Sequence, residues 1–352
     1  LMDYHYEPKT RGIPDNEITI AKALKTAGYH TGLVGKWHLG EFPIYPEYHP
    51  LRHGFDHFLG VPHSIGMKDF ALYRNHECLS PDFYEVEQLT GIYTREAIQF
   101  IEQYDSTPFF LYLAHTFPHQ PLYASEKFRG KSKGGLYGDT IEEIDWSLGE
   151  IIKTLQARGL WENTLVVFTS DNGAWYNGSP GKLRGRKGQS YEGGFRIPMI
   201  AHWPEHIPAG TVCNTPAMNI DWFPTCLALA GVDLPNDRII DGKDIRGLLT
   251  GEETQSQHDI FYYYHNEELE AIRFGKWKFI PRINTYAWPA PVDKFWGSAA
   301  TAQAPWLYDL EADPQESYNL KYNHPDIIEE MKQKFHEWEA QMKENREGWK
   351  ET

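Results

Sequence analysis

The sequence is short of cysteine, of long apolar runs and of positive charge. Its three cysteines, Cys78, Cys213 and Cys226, are too few and too widely spaced for a disulfide scaffold or a zinc site, so no redox compartment follows from them. No stretch is long and apolar enough to span a bilayer as a helix. Lys and Arg number 34 against 49 Asp and Glu, a formal net charge of −15 with histidine neutral, which disfavours duplex nucleic acid or an anionic membrane as the main partner. An anionic ligand therefore needs a local basic pocket. Internal repeats and low-complexity tracts are absent. The residues open on Leu1 without a signal peptide, so no compartment is legible in them.

What is present is globular in character. The 352 residues, 41% hydrophobic and 24% charged, suffice for one large domain or two smaller ones with a buried core. Twelve Trp and 21 Tyr supply rings that can stack on sugars or aryl groups as well as pack a core. Candidate buried strands are TGLVGKW from 31, PFFLYLAH from 108, NTLVVFTS from 163 and RIPMIAHW from 196. Between them the apolar spacing predicts a helix over 140–158, capped by Asp139 or Thr140 and closed by Gly159, with further helices near 16–27, 94–104 and 221–230. Asp15-Asn16 is expected to cap the 16–27 helix. Strands alternating with helices predict an α/β sheet covered on both faces. After about 255 the texture changes: DIFYYYH, AIRFGKWKFI and WLYDL predict a smaller antiparallel sheet, and His324-Pro325 opens a terminal helix. The expected domains are 1–255 and 256–352.

Three stretches carry candidate chemistry. In GYHTGLVGKWHLG, from 28, strand alternation puts Lys36 and His38 on one face and Trp37 on the other. In LVVFTSDNGAWYNGSPGKLRGRKGQSYEGGFRIP, from 165, an apolar strand ends in Asp171-Asn172-Gly173. A carboxylate beside an amide carbonyl offers two hard oxygens suited to calcium or magnesium, although the tripeptide is equally a plain turn. The loop that follows carries Lys182, Arg184, Arg186 and Lys187 among glycines, either as a solvated surface or as a cradle for an oxyanion. In PFFLYLAHTFPHQP, His115 and His119 follow a strand, where a histidine can protonate a leaving group. His265, after FYYY, either packs or shapes a pocket rim.

Together these blocks, with HPLRHGFDHFLG at 49–60 in register between them, resemble the sulfatase family, closest to arylsulfatases and N-acetylgalactosamine-6-sulfatases. The resemblance implies an alkaline-phosphatase-like sheet sandwiched by helices with a smaller C-terminal antiparallel sheet and helix. It also implies a calcium ion, hydrolysis of sulfate esters on an aryl or saccharide substrate, and a periplasmic, secreted or lysosomal location. Catalysis in that family uses a formylglycine made from cysteine. Residue by residue, Lys36 and His38 match the pair beside the formylglycine, His119 the histidine near the leaving oxygen, Asp171 and Asn172 calcium ligands, and Lys187 the lysine bridging sulfate and leaving group. The family's modified residue lies in a C-x-P-x-R motif upstream of the GKWH block, and none of the three cysteines here begins one. The expectation is therefore a sulfatase chain without its nucleophile segment, inactive as written. The same residues leave open a phosphoesterase or phosphonate hydrolase of this fold, or a catalytically silent protein that binds sulfated glycans.

Overall fold

The apolar run that ends in Lys36 is an inner strand of a mixed sheet. The computed structural model describes residues 12–67, 70–104, 106–265, 268–282 and 304–345. The chain divides into two units: Leu1–Thr164 with Trp203–Glu205 and Phe223–Leu234, and Leu165–His202 with His206–Trp222 and Pro235–Thr352.

In the first unit, β1 (His30–Lys36), β2 (His57–Val61), β3 (Leu72–Arg74), β4 (Glu77–Ser80) and β5 (Phe109–Ala114) form one sheet in the order β4-β3-β2-β1-β5. Strand β1 runs parallel to both neighbours, with Lys36 opposite Val61 and Gly35 opposite Ala114. The carboxyl ends of all three strands therefore share one rim, where α/β sheets gather ligand sites. Gly60 permits the close pairing: a Cβ there would lie 1.7 Å from the Gly35 carbonyl oxygen.

Alternation along β1 splits the core into two layers. Val34 packs with Leu59, Val61, Leu89, Tyr93 and Ile144, whereas Leu33 packs with Ala21, Phe42, Phe55 and Phe58. The first layer is closed by α2 (Leu89–Glu102) and α3 (Gly135–Ala157), the second by α1 (Ile20–Lys25). The expectation of helices on both faces holds.

Two expected caps fall elsewhere. Helix α1 is capped by Thr19, whose hydroxyl accepts from the Lys22 N–H at 3.1 Å, while Asp15 pairs with Arg52. Helix α3 starts ahead of Asp139, whose carboxylate accepts from the N–H groups of Gly130, Lys131 and Ser132 at 2.8, 3.0 and 2.7 Å. Asp139 thus satisfies the backbone of the preceding turn rather than its own helix end.

In the second unit, β6 (Val166–Thr169) and β7 (Met199–His202) pair antiparallel, with α4 (Glu192–Phe195) in the segment joining them. Both were expected as buried strands, yet Phe168, Met199 and Ile200 are 37%, 44% and 65% exposed within this pair. Among the described residues the pair has no third strand, and two strands cannot bury both faces of each other.

The chain continues through α5 (Trp222–Leu229) and α6 (Arg246–Thr250) to an antiparallel sheet of β8 (Ile260–His265), β9 (Glu268–Phe274), β10 (Trp277–Ile280) and β11 (Trp306–Asp309), in the order β11-β10-β9-β8. The run AIRFGKWKFI folds back on itself at Gly275, which has a φ of +55°, and supplies both β9 and β10. Helix α7 (Pro325–Glu344) lays Ile328, Met331 and Phe335 on Leu269, Ile272, Phe279 and Leu307. The other sheet face buries Tyr263, Ala271, Ile280, Trp306 and Tyr308. Among the described residues no helix is long and apolar enough to cross a membrane.

Candidate functional site

Lys36 is the last residue of β1 and is half-buried. Trp37 turns into the core, donates its indole N–H to the Tyr48 carbonyl at 3.0 Å and packs on His53 and Phe55. His38 then takes a φ of +52°, a left-handed conformation that strand alternation does not describe. The simple same-face argument therefore ends at Lys36. What places His38 is the end of the neighbouring strand. Its N–H donates to the Pro62 carbonyl at 2.9 Å, and its Nδ1 lies 3.5 Å from the Ser64 hydroxyl. Ser64, 5% exposed, is a polar residue of this rim that sequence reasoning missed. Its signal lay in the parallel neighbour: it follows the end of β2 as His38 follows the end of β1.

The segment after β5 reaches the same rim. His119 sits past the strand end, and its Nδ1–H donates to the Gln120 carbonyl at 2.6 Å, since a carbonyl only accepts. That bond makes Nδ1 the protonated nitrogen of the neutral ring. His115 turns inward instead, with Nε2 3.3 Å from the Ser147 hydroxyl and its ring beside Tyr93. Burial pushes its pKa down to about 4, so it is a neutral packing residue at neutral pH.

This burial has a testable consequence. Protons enter His115 of the unfolded chain near the ordinary histidine value but enter the folded site only near pH 4, so the neutral-form stabilisation is intact above about 6.5 and is lost as pH falls toward 4. His49 and His53 are shifted downward by burial in the same sense. Urea unfolding should show stability falling through this window, by an amount on the order of 3 kcal/mol for His115, and His115→Asn should flatten the profile.

In the second unit, Asp171 and Asn172 follow β6 directly after Ser170. The Ser170 hydroxyl donates to the Asn172 carbonyl at 3.1 Å, and the Asn219 side-chain amide donates to the Ser170 carbonyl at 3.0 Å. Two main-chain bonds then braid this turn with the Gly-rich loop. Gly173 N–H donates to the Gly194 carbonyl at 2.9 Å, and Lys187 N–H donates to the Ala174 carbonyl at 3.0 Å. Gly173 has no room for a side chain, because a Cβ would stand 2.1 Å from the Gly193 carbonyl oxygen. The fold thus fastens Lys187 to the residues that follow Asp171-Asn172.

The four cations of the loop divide by role. Arg184 donates to the Tyr308 hydroxyl at 3.1 Å and the Glu316 carbonyl at 2.8 Å. Arg186 donates to the carbonyls of Trp175 and Gly178, both at 2.8 Å. Arg184 therefore ties the loop to the segment around β11 and Glu316, and Arg186 ties it to the preceding turn, whereas Lys182 is exposed and Lys187 half-buried.

Asp171 and Asn172 offer two oxygens, where calcium takes six to eight. Among the described residues no group of three or more His, Cys, Asp or Glu is arranged to hold a metal ion. His265 closes β8.

The family model described as Sulfatase matches residues 2–232. The chain belongs to the sulfatase family. A second model, described as N-sulphoglucosamine sulphohydrolase, C-terminal, matches residues 186–343. This sulfatase-family chain is 33% identical to human steryl-sulfatase over 403 residues, covering 87% of the chain and 69% of that protein. It is 37% identical to mouse N-acetylgalactosamine-6-sulfatase over 349 residues, covering 89% of the chain and 66% of that protein. It thus spans about two thirds of the length of these curated relatives. A Bacteroides thetaiotaomicron structure from work on the metabolism of multiple glycosaminoglycans matches with a TM-score of 0.81 at 27% identity, covering 94% of this chain and 84% of that one. The sheet flanked by helices and the separate antiparallel sheet are those of the alkaline-phosphatase-like fold.

Proposed function

We propose that this sulfatase-family chain carries the sulfate-binding and proton-transfer groups of a sulfuric ester hydrolase that acts on an aryl sulfate or a sulfated saccharide. Lys36 and His119 in the first unit and Lys187 in the second are the proposed sulfate-binding residues, and His38 and His119 the proposed proton carriers. The observation that carries the reading is the 3.0 Å bond from the Lys187 N–H to the Ala174 carbonyl, which fixes an ammonium-bearing residue beside an Asp-Asn pair at a strand end.

A sulfate ester gains negative charge on its bridging oxygen as the S–O bond breaks, so fixed cations and a proton donor stabilise that state more than the ground state. Lysine supplies the cations at neutral pH, and the defined tautomer of His119 supplies the proton donor when its Nε2 is protonated. The rim position of His38 beside Ser64 suits a group that takes up and returns a proton.

Two further components belong to the reading. Asp171 and Asn172 contribute oxygens to a calcium ion whose remaining ligands are not among the described residues. The nucleophile is a formylglycine from a C-x-P-x-R motif that these 352 residues do not contain, so the chain by itself does not turn over. A periplasmic, secreted or lysosomal location goes with the same reading.

The deciding experiment compares 4-nitrophenyl sulfate with 4-nitrophenyl phosphate, using the chain alone and the chain joined to a segment bearing C-x-P-x-R with its formylglycine installed. The joined protein is expected to hydrolyse the sulfate ester in preference, and the isolated chain neither ester. Preference for the phosphate ester would assign the pocket to phosphoryl chemistry. Turnover by the isolated chain would place the nucleophile within these 352 residues.

A further inference from the structure

The loop that fastens Lys187 also presents an aromatic ring. Tyr176 is 45% exposed, although it lies only two residues past Ala174, the acceptor of the Lys187 N–H. Its position is set from two sides. Trp175 packs edge-on against it, with ring centroids 5.0 Å apart and planes at 87°. The guanidinium carbon of Arg186 lies over its ring, 5.4 Å from the centroid. Arg186 is itself held by the Trp175 and Gly178 carbonyls at 2.8 Å each, so the cation behind the ring is fixed in place. The same chain segments, 174–176 and 186–187, therefore carry both an anchored aromatic ring and the lysine proposed to bind sulfate.

We infer that Tyr176 is a specificity-determining residue: its exposed ring surface is the platform against which the six-membered ring of the leaving group packs while the attached sulfate meets Lys187. This inference rests on the proposed sulfate-ester chemistry and adds the element that reads what the sulfate is attached to. An aromatic ring presents a negative face, which an anionic ligand avoids. A guanidinium over that ring draws on the same electron density, so its exposed surface suits a ring that carries a sulfate better than an unsupported tyrosine would. A broad apolar ring face is what the platform selects, and arenes and the C–H face of a pyranose chair both offer one. A linear alkyl sulfate offers none.

The test is calorimetric binding by the chain as given, with four probes: inorganic sulfate, galactose 6-sulfate, phenyl sulfate and ethyl sulfate. Tyr176→Ala is expected to weaken at least one of the two ring sulfates about five- to tenfold while leaving inorganic sulfate and ethyl sulfate within about twofold. Tyr176→Phe, which keeps the face and drops the hydroxyl, is expected to retain the parent affinities. Loss confined to galactose 6-sulfate identifies a saccharide as the occupant; loss confined to phenyl sulfate identifies an arene. Equal weakening of all four probes would reduce Tyr176 to a structural prop for the loop and overturn the inference. So would unchanged ring-sulfate affinity in Tyr176→Ala. Failure of the parent chain to bind inorganic sulfate would remove the anion site itself, a separate result that takes the platform with it.

Discussion

Lys278→Met is expected to lose about 3–5 kcal/mol of unfolding free energy at neutral pH, the cost of leaving buried carboxylates without their cation. Lys278 is 0% exposed, and its ammonium lies 3.0 Å from Glu192 Oε1 and 2.9 Å from Glu316 Oε1. Glu192 Oε1 also accepts from the Tyr263 hydroxyl at 2.8 Å, and Glu316 Oε2 accepts from the Glu192 N–H at 2.7 Å. Burial alone would push the Glu192 carboxyl upward, but the ammonium outweighs it and holds the group below the ordinary carboxylate range. For Glu316 burial prevails and the carboxyl is raised. One cation thus serves two buried acids, and methionine fills its volume while supplying no charge.

The sign of the pH dependence distinguishes this account from simple loss of packing. Without the ammonium both acids have folded-state values above their unfolded ones, so the variant is handicapped most at neutral pH and recovers as acidification protonates them. Glu316→Gln should be mild, at under about 1 kcal/mol, because a single Lys278–Glu192 pair remains balanced. Thermal and urea unfolding at pH 7 and pH 4.5 read both effects. A Lys278→Met variant as stable as the parent at pH 7 would show that the cluster is not coupled as described.

This cluster also explains why part of the candidate site was illegible in the sequence. WKFI reads as a strand whose lysine should reach solvent, and its burial depends on Glu192, 86 residues earlier, and on Glu316. Ser64 is hidden for the same reason, since only the parallel pairing of β1 with β2 brings the ends of two distant segments to one rim. By contrast β1, β5, α3 and α7 follow from local pattern alone, as continuous apolar runs or stripes at steps of three and four. Strands β3 and β4 carry no such pattern: LYR is three residues long and ECLS is largely open to solvent, so tertiary pairing alone makes them strands. The apolar residues of β6 and β7 announce strands correctly but not their exposure, because apolarity does not reveal how many neighbours a strand has. His38 shows the limit of periodic reasoning at its sharpest. One left-handed residue ends the alternation at the rim that carries the candidate site.

Lys187→Ala is the variant that bears most directly on chemistry. The substitution keeps the main-chain N–H that donates to the Ala174 carbonyl, so the braid between the Asp171-Asn172 turn and the Gly-rich loop persists while only the ammonium is lost. The expected result is a sulfate affinity weakened about 10- to 100-fold, in line with loss of a charge-assisted contact. With the nucleophile-bearing segment present, kcat should drop by a further measure, about 10²- to 10³-fold overall, because in the proposed reaction the lysine meets charge that develops on the leaving oxygen. Lys182→Ala is the matched control: it removes an equal charge from an exposed position of the same loop and should alter kcat by less than about twofold, as screened surface charges do. Circular dichroism should be unchanged in both variants. Equal losses in the two would mean that the loop acts only through its summed positive field, and an unaltered kcat in Lys187→Ala would remove this lysine from the reaction.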